Sequence, residues 1–112
     1  MKDDRLYLVY INECIARIQT YCFEGKEAFF SDAKTQDAVL RNLHTLSESV
    51  QRLSQDLRDR RSEVDWRAIS AFRNVVVHDC LGVDLIQIWE IVDSDLPNLK
   101  ISVEAILAEL NG

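Results

Sequence analysis

The chain has little of what builds tight-turn proteins or membrane spans. Its 112 residues include only one proline and three glycines, which favours long helices over a turn-rich fold. It has no run of 18 or more apolar residues, and its first five residues lack the apolar stretch of a secretory signal. We therefore expect a single all-α domain over residues 1–112, cytoplasmic and outside the membrane.

Cysteine pairs and excess positive charge are also missing. Cys14, Cys22 and Cys80 form no Cys-x-x-Cys pair and have no histidine at zinc-ligand spacing, which predicts reduced thiols, no metal centre and no cofactor. The net charge is -6, with 12 basic and 12 acidic residues over 1–78 but 1 and 7 over 79–112. Any phosphate-binding surface must therefore be local.

Six arginines are the best candidate for such a surface. They are Arg52, Arg58, Arg60, Arg61, Arg67 and Arg73, interspersed with Asp56, Asp59, Glu63 and Asp65. For any one of these arginines, an exposed helix end or loop is the more common role.

Apolar residues recur at helical spacing along most of the chain. A first helix is predicted over about residues 5–24, ending at Gly25, and residues 26–34 show no stripe and are predicted to form a connection. A second helix, capped by Thr35, has an apolar seam with spacings of 4, 3, 4, 3 and 4. The seam residues are Val39, Leu43, Leu46, Val50, Leu53 and Leu57.

The C-terminal half predicts three more helices. Asp65 is placed to cap a helix that begins at Trp66 and continues through three valines, residues 75–77. Asp84 is placed to cap a short fourth helix, and Asp95 and Pro97 to begin a last helix over 96–110. The pattern is typical of an up-and-down bundle of four to five helices.

One stretch collects polar side chains around the valines: Phe72-Arg73-Asn74-Val75-Val76-Val77-His78-Asp79-Cys80. A guanidinium binds phosphate and an imidazole moves a proton near neutral pH, so arginine, asparagine and histidine suit metal-free phosphodiester cleavage. Arg73 and His78 lie about 140° apart on an ideal helix, whereas Asn74 and His78 share a face. Arg73 and His78 can meet one ligand only where the helix ends or where a second copy faces the first. An exposed surface pair is the common alternative.

A second polar pair, His44 and Glu48, has i, i+4 spacing on the predicted second helix. Two ligands without a third rarely hold a metal, so the spacing favours an ion pair or hydrogen bond between them.

The segment Arg73-Asn74-x-x-x-His78 resembles the Arg-x4-His motif of the HEPN family of small all-helical ribonucleases. Its surroundings are similar to the HepT branch, the toxins of HepT/MntA (type VII) toxin–antitoxin pairs, over roughly residues 4 to 110. The similar stretches are Ala38-Val39-Leu40-Arg41-Asn42-Leu43, Trp66-Arg67-x-Ile69, Val83-Asp84-Leu85 through Trp89-Glu90, and Asp95-Leu96-Pro97.

The resemblance implies a homodimer whose paired motif helices form an active cleft, with metal-independent cleavage of RNA. It implies that Arg73 binds and polarises the phosphate, that His78 acts as general acid/base and that Asn74 orients the scissile group, with Asp79 in support. It also implies a partner, the minimal nucleotidyltransferase (MntA) antitoxin.

Cys80 departs from the family pattern. HepT proteins commonly have His-x-Tyr, and their partner silences them by attaching AMP to that tyrosine. A thiol is not the phenol that this reaction uses, so AMP transfer to residue 80 is in doubt. The alternative function is a non-catalytic helical module that binds a nucleotidyltransferase; RNA cleavage by the purified protein separates the two.

Overall fold

The protein is an all-α bundle. The computed structural model describes residues 3–77 and 84–111, with residues 75–77 described for their backbone only. The α-helices in this part of the chain are α1 (Asp4–Tyr21), α2 (Lys26–Ser31), α3 (Ala33–Gln51), α4 (Gln55–Arg60), α5 (Trp66–Ser70), α6 (Phe72–Val77), α7 (Leu85–Glu90) and α8 (Leu96–Asn111). A π-helical turn, Ile91–Asp95, joins α7 to α8.

Helix α3 organises the packing. It contacts α1, α2, α5 and α6, and α1 also packs against α8. The predicted seam is confirmed, because all six of its residues are buried. Each fully buried aliphatic side chain contributes roughly 1.5–3 kcal/mol of transfer free energy. The α6 segment, which carries the beginning of the polar stretch, is therefore held against the helix that carries most of this buried seam.

The second predicted helix ends earlier than its seam indicated. Ser54 is extended (φ -65°, ψ 150°) and begins α4, accepting a hydrogen bond from the Leu57 amide at 3.1 Å. The prediction of one helix through Leu57 was therefore wrong. The apolar spacing concealed the break because Leu53 and Leu57 are buried on either side of it. Hydrophobic spacing alone does not reveal a turn that returns the next apolar residue to the same core.

Asp4, the first residue of α1, stabilises this break although it lies 50 residues before Ser54. Its carboxylate is buried and accepts hydrogen bonds from the Ser54 amide at 2.8 Å and the Ser54 hydroxyl at 2.6 Å. Burial alone would raise the pKa of the Asp4 carboxyl, but hydrogen bonding, including that from Ser54, outweighs burial and holds the pKa below its ordinary value. The carboxylate is therefore ionised at neutral pH.

The segment predicted as a connection contains helix α2. At six residues, α2 is too short to show a stripe. Gly25 lies at its start with φ +100°, a conformation that glycine adopts without strain. Asp32, rather than Thr35, caps α3: the Lys34 amide donates to it at 3.1 Å and the Thr35 hydroxyl at 2.8 Å. The Thr35 hydroxyl is thus bound to the actual cap.

The C-terminal helices combine confirmed and wrong predictions. Asp65 and Asp84 cap α5 and α7, accepting from the amides of Ala68 and Gln87 at 3.1 Å each. Asp95 does not begin a separate helix, because helical structure runs without a break from Leu85 to Asn111 through the π-helical turn. The valines at 75–77 are helical, as predicted.

Candidate functional site

Helix α6 presents the first two polar residues of the motif. Phe72 is buried against the core, and Arg73 and Asn74, which follow it, are exposed. This alternation follows from the 100° turn per residue of a helix that packs on one side. The other predicted site residues, His78, Asp79 and Cys80, lie outside the residues that the structure describes.

Arg73 has one ionic neighbour in the described chain. Its Nε lies 3.6 Å from Oε2 of Glu48, on α3, and 45% of the Arg73 side chain remains exposed. The sequence pattern paired Glu48 with His44 instead. Because this contact uses one nitrogen of a guanidinium that carries five N–H donors, it steers the side chain while leaving donors for a ligand.

Arg73 and Asn74 line one open depression of about 500 Å³. Its lining residues are Gln51, Arg67, Ser70, Ala71, Arg73 and Asn74. The lining residues carry two guanidiniums, two side-chain amides and one hydroxyl, and none of them carries a carboxylate. Such a set can donate several hydrogen bonds to an anion and repels none of its charge.

A helix break brings Arg67 and Arg73 together. Six residues on an ideal helix would place the two about 120° apart. Ala71 separates α5 from α6 with φ -70° and ψ -13°, and the Asn74 amide donates to the Ala71 carbonyl at 2.9 Å. The turn is locally tighter than an α-helix, and both arginines reach the same depression.

The other members of the arginine cluster divide by their partners. Arg60 pairs with Asp56 at 3.1 Å, and Arg61 pairs with Glu63 at 3.3 Å and with Glu109 at 3.0 Å. By contrast, Arg52 and Arg67 are exposed and form no ion pair with the described residues. Two of these other arginines in the predicted phosphate-binding surface are therefore paired with carboxylates, whereas Arg52 and Arg67 remain accessible.

Sequence reasoning missed two residues that line this depression and one that contacts Arg73. Gln51 and Ser70 line it, and Glu48 contacts Arg73. Glu48 and Gln51 lie on α3, so only the packing of α3 against α5 and α6 brings them to the motif. Ser70 lies three residues before Arg73, a spacing that places helical residues side by side and could have indicated it.

Two cysteines are inert fillers of the core. Cys14 and Cys22 are buried, and burial raises the pKa of both thiols. They are therefore protonated and weakly nucleophilic near neutral pH. Residues 3–77 and 84–111 contain no group of three or more histidine, cysteine, aspartate or glutamate side chains arranged to hold a metal ion.

None of the helices in the described residues is both long enough and apolar enough to cross a bilayer.

Comparison with known proteins extends over nearly the whole chain. A protein of Thermococcus cleftensis named "Probable ribonuclease HepT" is 35% identical over 98 residues, covering 84% of this chain and 86% of its own. A candidate RNase of Caldanaerobacter subterraneus is 33% identical over 111 residues, covering 96% of each chain.

A third relative is larger than this chain. It is a Methanocaldococcus jannaschii protein named as a gamma-glutamylcyclotransferase and candidate RNase, 32% identical over 111 residues. The match covers 98% of this chain but only 50% of the relative, so the chain spans half of that protein's length. No solved structure gave a significant match. The family model for ribonuclease HepT-like proteins matches residues 11–106, and the chain belongs to this family.

Proposed function

We propose that the protein is a metal-independent RNA endonuclease, the toxin of a HEPN/minimal nucleotidyltransferase toxin–antitoxin pair. The observation that supports this most directly is that Arg73 and Asn74 open into one depression lined by no carboxylate. Arg73 binds the scissile phosphate and stabilises the charge that grows on it, and Asn74 orients it by hydrogen bonding. Membership of the family and the ribonuclease names of the relatives support the same reaction class.

The chemistry needs only proton transfer and charge stabilisation. The 2'-hydroxyl of the RNA loses its proton and attacks the phosphorus, the bond from phosphorus to the 5'-oxygen breaks, and that oxygen takes up a proton. His78 acts as the general acid/base, with Asp79 in support. The products are a 2',3'-cyclic phosphate and a 5'-hydroxyl, so DNA, which lacks the attacking hydroxyl, is not a substrate.

A homodimer solves the problem of convergence. On a helix that continued regularly through residue 78, Arg73 and His78 would lie about 140° apart, and one chain would not aim both at a single phosphate. Two copies across a twofold axis bring Arg73 of one protomer near His78 of its partner. The active cleft then contains two copies of each residue. One His78 side chain acts as the acid and the other as the base.

Regulation by the nucleotidyltransferase partner takes a different form from AMP transfer to residue 80. The family's tyrosine is replaced by Cys80. With the transferase and ATP, we expect no AMP on residue 80 of the wild type and AMP on Cys80→Tyr, by intact mass and peptide mapping. An AMP found on wild-type Cys80 would show that a phenol is not required.

The decisive test is cleavage of RNA by the purified protein in the presence of EDTA. We expect RNA but not DNA to be cut, with cyclic phosphate ends. His78→Ala should abolish cleavage, and His44→Ala, which changes the other histidine in the sequence, should retain it. Folded wild-type protein that cuts no RNA would leave the non-catalytic module that binds a nucleotidyltransferase as the function. Cleavage abolished by EDTA would contradict the metal-independent mechanism.

A further inference from the structure

Arg67 is an accessible arginine that the proposed reaction does not use. It is exposed, lines the same depression as Arg73, and forms no ion pair with the described part of the chain. Its neighbours Ser70 and Gln51 add a hydroxyl and an amide at the same depression. These groups can surround an anion with donors, one of them a charged fork that matches the oxygens of a phosphodiester.

The depression is wide enough for more than the scissile phosphate. At about 500 Å³ it is open to solvent, and it adjoins a second depression of about 720 Å³ that also includes Arg67 and Ser70 in its lining. Arg67 thus lies where the two spaces meet, with Arg73 on one side and Arg58 on the other. The two adjoining depressions form one groove, and an RNA strand that runs along it passes Arg67 next to Arg73.

The acidic residues of the second depression are already engaged. Asp59 accepts a hydrogen bond from Gln55 at 2.8 Å, Glu63 pairs with Arg61, and Asp65 caps α5 through the Ala68 amide. Arg58 donates from Nη2 to Gln55 at 3.4 Å, and its Nε is buried. The depression that Arg67 shares with Arg73 has no carboxylate in its lining, so an anion is favoured there over the second depression.

We propose that Arg67, with Ser70 and Gln51, forms a second phosphate subsite that holds the RNA phosphate next to the one on Arg73. This inference rests on the proposed function and specifies its substrate: a single-stranded segment with at least one phosphate beyond the scissile one. Arg67 positions the strand and touches no reacting atom. Arg58 continues the same path on the far side of Arg67.

Binding of a short single-stranded RNA to the His78→Ala protein tests the subsite without cleavage. In that background, Arg67→Ala should lower affinity about fivefold at 0.1 M salt and flatten the slope of log K against log salt by about 0.7, as one lost phosphate contact does. Arg67→Lys should keep most of the slope. The matched control is Arg52→Ala, which removes another exposed arginine that forms no ion pair with the described residues and does not line the depression.

Equal losses from Arg67→Ala and Arg52→Ala would overturn the subsite, because the effect would then be one of net charge. A second arm uses RNA in which one phosphate beside the scissile position is a neutral methylphosphonate. The neutral linkage should weaken binding to the His78→Ala protein and add nothing once Arg67 is also alanine. Full additivity at both neighbouring phosphates would also overturn it.

The two proposals fail in different ways. A selective Arg67 effect on binding, together with a wild-type protein that never cuts RNA, would keep the subsite and reject the nuclease. Cleavage by the wild type with no selective Arg67 effect would keep the nuclease and reject the subsite. Folding of each variant is checked by its far-UV circular dichroism and thermal unfolding.

Discussion

Two polar clusters of this molecule differ in how far their hydrogen-bonding groups are used within the fold. At the break between α3 and α4, the buried Asp4 carboxylate accepts two hydrogen bonds from Ser54. At the edge of α6, Arg73 is 45% exposed and has one contact of 3.6 Å, and Arg67 has no ion pair with the described residues. The carboxylate of the first cluster is bonded within the fold. The guanidiniums of the second cluster have N–H donors that no contact with the described residues uses.

The difference between the two clusters separates charged groups that stabilise the fold from charged groups that are accessible to a ligand. A charged group whose donors or acceptors are used internally contributes to folding, and its removal exposes an unmet partner. A charged group held in place but left with free donors is available to a ligand. Mutations at the two clusters should therefore separate into effects on stability and effects on activity.

The largest expected effect is on catalysis. Arg73→Ala should lower the rate of RNA cleavage by about 10²-fold or more, the loss typical of removing one electrostatic stabiliser of a transition state. Its thermal unfolding should change little, because the side chain is exposed. Arg60→Ala is the control, since it removes an arginine from an exposed ion pair with Asp56 away from the depression. Equal rates for the two variants would place Arg73 outside the chemistry.

The next effect is on stability. Asp4→Ala leaves the Ser54 amide and hydroxyl without this acceptor, and we expect the free energy of unfolding to fall by about 2 kcal/mol. RNA cleavage by the folded fraction should be unchanged. Asp3→Ala, at the exposed neighbouring residue, should alter stability by less than about 0.5 kcal/mol. Chemical denaturation of the three proteins measures this difference.

The same carboxylate makes stability depend on acid. Its pKa is lowered in the folded chain, so its contribution is fully present above the unfolded aspartate pKa of about 3.9 and is lost as the pH falls through the lower folded value. The stability gap between wild type and Asp4→Ala should narrow over that range. A gap that stays constant down to the acid transition would contradict the assignment.

The smallest effect sharpens the activity cluster itself. Glu48→Gln removes the negative charge beside Arg73, and we expect RNA to bind more tightly by no more than about fivefold, the range of a surface ion pair. The control is Glu109→Gln, which removes a carboxylate from the Arg61 pair instead. Weaker RNA binding by Glu48→Gln would show that the ion pair orients Arg73 productively rather than competing with the phosphate.

Much of the fold was predictable because it depends on local chemistry. The buried seam from Val39 to Leu57 and the caps at Asp65 and Asp84 need only residues close in sequence, and the structure confirms them. The break before α4 was not predictable in this way, because Ser54 is held by a carboxylate 50 residues away. Helix α2 escaped because six residues make too few turns for a stripe.

The candidate site shows the same limit. Arg73 and Asn74 were named from their residue types and from a family resemblance, and their roles stay predictions. The depression around them depends on the break at Ala71, where neither glycine nor proline signals a change of helix. Which arginines are neutralised also depends on distant partners, since Glu109 lies 48 residues after Arg61.

The π-helical turn between α7 and α8 has a consequence for how this chain tolerates length changes. Leu96 donates its amide to the Ile91 carbonyl, five residues back, and the buried residues here are Ile88, Ile91, Val92, Leu96 and Leu99, spaced 3, 1, 4 and 3. A π turn holds one residue more than the α-helical repeat. Deleting one exposed residue, such as Ser94, should therefore convert the π turn into a regular helical turn and leave the rotation of α7 relative to α8 nearly unchanged. The π turn keeps the buried face of α7 in phase with that of α8 although this segment carries one extra residue.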